Sequence, residues 1–169
     1  MRQQQAEDVS VFDVMCQSPH CVTEDQSVGE LVSLFVNNGI SSAPVVDDMG
    51  KPIGFVSKTD VVRELKEAST GARGTIETQL QPWWDTDRLS QLKVGEVMTY
   101  ALYTLSPSIP LADAIAVMAF EGMHHVPVVT DSGQLVGMLS ALDVLEWMAT
   151  TAGYKPSNGQ HGQVFERPA

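Results

Sequence analysis

Positive charge is scarce in this chain. Its 169 residues include ten Lys and Arg against 21 Asp and Glu, a formal charge of −11 with the four His neutral. Nucleic acid partners are held by clustered cations that release counterions, so this deficit argues against them. An anionic membrane surface is disfavoured for the same reason. A bound nucleotide remains compatible, since a site can be locally cationic or use backbone N–H groups. Long apolar runs are also lacking, and no stretch reaches the roughly 18 uncharged apolar residues of a spanning helix. The opening residues, Met1 to Asp8, contain no apolar segment of the signal-peptide kind. Cys16 and Cys21 are the only cysteines, too few for a disulfide framework. These absences lead to the expectation of a soluble, cytoplasmic protein. Apolar residues make up 43% of the chain, and a domain of this size buries roughly 70% of the surface its unfolded chain exposes.

The organisation comes from an internal repeat. Placing Val11 on Val94 aligns residues 11–63 with 94–146 without a gap, and 13 of these 53 positions are identical. The identities include Met15/Met98, Gly39/Gly122, Pro44/Pro127, Gly54/Gly137, Ser57/Ser140 and Asp60/Asp143. Each copy predicts a short extended piece (Cys21–Thr23; Thr104–Ser106), then a helix with apolar residues at i, i+3, i+4 and i+7. These are Val28, Leu31, Val32 and Phe35, matched by Leu111, Ala114, Ile115 and Met118. Ser27-x-x-Glu30 forms a capping box, Pro110 suits a first helical turn, and Gly39 and Gly122 suit left-handed helix ends. Two apolar strands follow at Ala43–Val46 and Ile53–Val56, repeated at Val126–Val129 and Val136–Leu139. A last helix begins after Ser57 or Ser140.

The fold class is therefore α/β (α+β): two β-α-β-β-α repeats, expected to pack about a pseudo-twofold axis because one copy alone is marginal. The expected boundaries are a tail over 1–10, repeat one over 11–66, a connector over 67–93, repeat two over 94–149, and a mobile tail over 150–169. In the connector, Thr75–Leu80 and Thr86–Leu92 are expected to be helical, and Trp83-Trp84 to anchor it on its own core.

Ser57-Lys58-Thr59-Asp60 and Ser140-Ala141-Leu142-Asp143 each join a strand end to a helix N-terminus. Unpaired N–H groups and the helix dipole attract anions there. The serine hydroxyl can reach a phosphate, and the carboxylate can accept both hydrogen bonds of a cis-diol, as acidic residues do toward ribose. The same pattern is also an N-capping motif, and the two roles can coexist.

Val14-Met15 and Val97-Met98, Pro44-Val45-Val46-Asp47 and Pro127-Val128-Val129, with Gly54-Phe55-Val56-Ser57-x-x-Asp60 and Gly137-Met138-Leu139-Ser140-x-x-Asp143, resemble the CBS domain. Two in tandem resemble a Bateman module, over about residues 11–149. The resemblance implies adenosine-containing regulatory ligands, AMP, ADP, ATP or S-adenosylmethionine, in clefts between the repeats, with no required cofactor. It implies Asp on ribose, Ser or Thr on phosphate, and adenine against apolar backbone. One cleft would use Ser57, Thr59 and Asp60 with Leu105, Met123, His124 and His125. The other would use Ser140 and Asp143 with Val22, Ile40, Ser41 and Ser42. It implies a homodimer paired through helical faces and a regulated partner protein. The stripes Val61-Val62-Leu65 and Val144-Leu145-Met148 are candidates for that face, or else are wholly internal.

The two sites differ chemically. Lys58 and Thr59 of the first are Ala141 and Leu142 in the second, and His124-His125 stand where the first copy has Ser41-Ser42. A charged hydrogen bond contributes roughly 1.5–3 kcal/mol against about 1 for a neutral one, so phosphorylated ligands should prefer the cleft of Asp60. Cys16, His20 and Cys21 supply only three ligands, short of a zinc site, and no cationic neighbour would activate either thiol. No phosphate loop, carboxylate cluster or nucleophile–base pair is present. The chain is not expected to be an enzyme.

Overall fold

A computed structural model of the chain describes residues 8–69, 86–100 and 103–154. A 3₁₀ turn (Val11–Asp13) opens it, followed by α1 (Val28–Asn38), β1 (Ser42–Val46), β2 (Pro52–Ser57) and α2 (Lys58–Ser69). Then come α3 (Thr86–Gln91), α4 (Val94–Val97), α5 (Leu111–Phe120), β3 (His125–Val129), β4 (Leu135–Ser140) and α6 (Ala141–Thr151). The expectations for Thr75–Leu80 and Trp83-Trp84 lie outside the described residues. Helix α3 stops one residue before the expected end, and Thr150 and Thr151, expected in the tail, close α6 instead.

Local chemistry sets the helix ends. Ser27 caps α1, its hydroxyl accepting from the Glu30 N–H at 3.2 Å while the Glu30 carboxylate accepts from the Ser27 N–H at 2.8 Å. Gly39 (φ 65°) and Gly122 (φ 67°) take the left-handed conformation that a Cβ penalises. Pro110 is the residue before α5 rather than within its first turn; its ψ of 137° is extended. The expected first strands shrink to single parallel bridges, Val22 with Val45 and Leu105 with Val128.

The residues pack as two units, and these are not the two sequence copies. Unit 1 comprises Met1–Ser18, Thr104–Val128 and Val136–Ala169; unit 2 comprises Pro19–Tyr103 and Val129–Leu135. Each unit thus joins the body of one copy to the opening segment of the other. In unit 1, Val11 and Met15 share a core with Leu111, Met118, Val126, Leu139 and Val144. In unit 2, Val94 and Met98 share a core with Val28, Leu31, Phe35, Val45 and Val56. Backbone bonds fix the exchange: the Cys16 and Met138 amides and carbonyls bond reciprocally at 2.9 Å, and Thr99 and Phe55 do so at 2.8 and 2.9 Å. Glycine makes the close approach possible, since a Cβ on Gly137 would lie 2.8 Å from the Cys16 carbonyl oxygen.

The strands β1 and β2 run antiparallel, with Ser42 opposite Ser57 and Ala43 opposite Val56. Alternation sends Ala43, Val45 and Val56 to the core and puts Ser42 and Ser57 together on the other face. Strands β3 and β4 pair likewise.

Candidate functional site

In unit 2 the strand β2 ends at Ser57 and α2 starts at once, so Ser57 and Asp60 close a capping box. The Asp60 Oδ2 accepts from the Ser57 N–H at 2.8 Å and from the Ser57 hydroxyl at 2.6 Å. Asp60 is buried, and its other oxygen, Oδ1, accepts from the Arg63 guanidinium at 2.9 Å. Lys58 and Thr59 are exposed. The Lys58 N–H donates to the Ser41 carbonyl at 2.9 Å, which brings Ile40-Ser41-Ser42 to this corner. Ser42, facing Ser57 across the hairpin, is 3% exposed and its hydroxyl has no hydrogen-bond partner. A buried hydroxyl left unpaired costs about 1–3 kcal/mol, and such groups ordinarily meet water or another polar atom. Ser42→Ala is therefore expected to leave the ligand-free protein as stable or more stable. A fall of more than about 1 kcal/mol in denaturant unfolding would show the hydroxyl to be satisfied.

Unit 1 repeats the geometry. The Asp143 Oδ2 accepts from the Ser140 N–H and hydroxyl, both at 2.7 Å, and the Asp143 N–H donates back to the hydroxyl at 3.1 Å. The residue in Arg63's place is Glu146, so Asp143 has no arginine one turn along its helix. The Ala141 N–H donates to the His124 carbonyl at 2.9 Å, bringing Met123-His124-His125 to this corner. His125 is half-buried; burial and the neighbouring His124 hold its imidazole below the usual value, while the Asp143 carboxylate acts oppositely.

Within each unit the structure therefore groups Ser57, Lys58, Thr59 and Asp60 with Ile40, Ser41 and Ser42, and Ser140 and Asp143 with Met123, His124 and His125. The side chains of Val22 and Leu105 lie inside the cores, so only their backbone is left to meet a ligand. Arg63 was missed from the sequence, although its i+3 spacing from Asp60 on a helix is a legible ion-pair signal.

The apolar stripes divide. Val61 and Val144 are buried, whereas Val62, Leu145 and Met148 are exposed. In unit 1, α5 and α6 also flank a groove of about 410 Å³ lined by Ile115, Ala119, Met123, His124, Leu145 and Met148 among others. No group of three or more potential metal ligands occurs among the described residues, and no described helix is long and apolar enough to cross a membrane.

A repeated strand–serine–helix corner with a capping aspartate defines the class. The chain belongs to the CBS domain family, whose model matches residues 11–67 and 94–150. The chain is 29% identical over 150 residues to protein MJ1426 of Methanocaldococcus jannaschii, covering 80% of this chain and 89% of that one. CBSX2, a chloroplastic CBS domain-containing protein of Arabidopsis thaliana, is 28% identical over 141 residues, 76% of this chain and 58% of its own. A crystal structure of CBSX2 in complex with AMP matches with a TM-score of 0.64 at 26% identity, covering 84% of this chain and 97% of that one. The CBS domain pair of protein MJ0100, solved with 5′-methylthioadenosine and S-adenosyl-L-methionine, matches with a TM-score of 0.63 at 22% identity, covering 85% and 98%. Other relatives are longer proteins, of which the chain spans as little as 14%.

Proposed function

We propose that the chain is a regulatory binding module, not an enzyme, that takes an adenosine-containing ligand and passes its presence to a partner protein. The observation that carries this reading is the corner itself. Twice, a serine hydroxyl and an aspartate stand together at a helix N-terminus, and at one of them a buried hydroxyl lies unpaired across the strand. Phosphate suits the first group and a ribose diol the second. The AMP complex of CBSX2 supports the ligand class. The residues proposed to bind are Ser57, Lys58, Thr59, Asp60, Ser140, Asp143, Ile40, Ser41, Ser42, Met123, His124 and His125, with the backbone of Val22 and Leu105. Regulation requires that the ligand bind two conformations unequally. A thermal-shift series with AMP, ATP and S-adenosylmethionine tests the reading: a ligand at 100 times its Kd adds about 2.7 kcal/mol. No shift with any of the three rejects it.

A second reading, a module that acts by self-association, is favoured by the exposed stripe. Leu142, Leu145 and Met148 of α6 are 62%, 60% and 52% exposed, and Phe120 at the end of α5 is 88% exposed. Leu145→Glu is then expected to turn a dimer into a monomer in analytical ultracentrifugation. A wild-type protein that sediments as a monomer rejects this reading.

A further inference from the structure

Unit 1, over its described residues, contains neither lysine nor arginine. Between Val94 and Tyr154 the sequence has none at all, while it places Glu96, Asp113, Glu121, Asp131, Asp143 and Glu146 there. Unit 2 differs, with Lys51, Lys58, Arg63, Lys66 and Lys93. The only described side chains of unit 1 that can become positive are His124 and His125, and both stand at the Ser140–Asp143 corner. Among the described residues of this unit, the side chain that can hold an anion by charge is therefore an imidazole, the one cation that titrates near neutrality.

We propose that this histidine pair couples nucleotide binding to proton uptake, holding the ligand's phosphate when protonated and releasing it as the pH rises. The inference rests on the reading that the chain binds adenosine ligands, and it adds the regulation of that binding.

The chemistry follows from the donor inventory. A neutral imidazole offers one N–H, whereas an imidazolium offers two and a charge. Phosphate against the ring stabilises the charged form, so each imidazole binds protons more tightly in the complex than in the free protein. Affinity then rises as the pH falls from the complex's imidazole value to the free one, by at most tenfold per pH unit for each proton taken up. The groups facing His125 are few. Just before its strand it has His124; from α6 it has Asp143. Strand β4 carries no titratable side chain, and α5 contributes only Asp113 in its first turn, with Glu121 just beyond its end. Burial, with His124 beside it, holds the His125 imidazole below its usual value in the free protein, and Asp143 acts oppositely.

Isothermal titration calorimetry on the full chain tests this with AMP and with adenosine, at pH 7.5 and 6.0. Wild-type protein should bind AMP roughly tenfold more tightly at pH 6.0, with a heat that varies with buffer ionisation enthalpy because protons are taken up. Adenosine, which has no phosphate, should show no such gain. In His124→Asn/His125→Asn the AMP gain should vanish. The phosphate of AMP itself titrates near pH 6, but it does so against wild type and variant alike, so their difference belongs to the histidines. The single exposed variant His124→Asn and the buffer dependence of the wild-type heat serve if the double variant does not fold. AMP bound equally at both pH values, or an unchanged gain in the variant, overturns the inference and leaves the binding reading standing. No AMP binding at pH 6.0 overturns both.

Discussion

Gly137→Ala is expected to lower the unfolding free energy by about 3 kcal/mol, the upper end of what overpacking costs. In a chain of this size that is a fall in Tm of roughly 6–12 °C. The cause is contact and not backbone conformation. An added Cβ would stand 2.5 Å from the Met15 sulfur and 2.8 Å from the Cys16 carbonyl oxygen. The thioether can swing aside, but the Cys16 carbonyl accepts from the N–H of Met138, the next residue, at 2.9 Å, and the Cys16 N–H donates to the Met138 carbonyl at 2.9 Å. Relief would therefore break the bonds that seat the opening segment on unit 1. Gly54→Ala is the internal comparison. There the nearest atom is the Met98 sulfur at 2.7 Å, and the carbonyl of Thr99 lies farther off, at 3.1 Å. It should cost less than Gly137→Ala. Adding Met15→Ala to Gly137→Ala should not restore stability, because the carbonyl clash remains and a cavity is opened. Thermal melts followed by circular dichroism measure all three. A Gly137→Ala change below about 1 kcal/mol would mean that the opening segment is not held where the structure places it.

Asp143→Ala is expected to weaken AMP binding on the order of 100-fold, since two charge-assisted hydrogen bonds to a diol contribute at least about 3 kcal/mol together. Asp60→Ala should do the same at its own corner. Neither variant is structurally silent. Both carboxylates close capping boxes with their serines, so alanine also removes about 1 kcal/mol of helix capping. Asp143→Asn separates the effects: its amide oxygen still accepts from Ser140, while the charge on the diol is gone. A retained Tm with weakened AMP binding in the asparagine variant supports the ribose role. Wild-type affinity in both asparagine and alanine variants removes it. At Asp60 a ligand must also displace Arg63 from Oδ1, a contact Asp143 lacks. Arg63→Gln should therefore tighten binding at Asp60 modestly, as befits an ion pair whose arginine is 58% exposed.

Much of this was legible in the sequence because it is written in short spacings. The capping box at Ser27 and Glu30, the left-handed glycines 39 and 122, the hairpin turns and the Ser-x-x-Asp corners all depend on residues within four positions of one another. A gapless repeat doubles each signal, and the fold class follows from the doubled pattern. The split of Val61-Val62 and Val144-Leu145 into one buried and one exposed residue was not legible, because an apolar pair on a helix does not say which member meets the core.

What the chain's residue order determined, then, is the list of elements, their ends and the chemistry at the two corners. Only the tertiary structure decided that Val11–Met15 completes the unit of the second copy's body and Val94–Met98 that of the first. The two opening segments share Val11/Val94, Val14/Val97 and Met15/Met98, so each offers the same apolar anchors to either body. Which body it joins is a matter of chain direction and long-range packing, which local periodicity does not encode. The same holds for Gly54 and Gly137, whose need for a missing Cβ arises only once a methionine from the other copy lies against them.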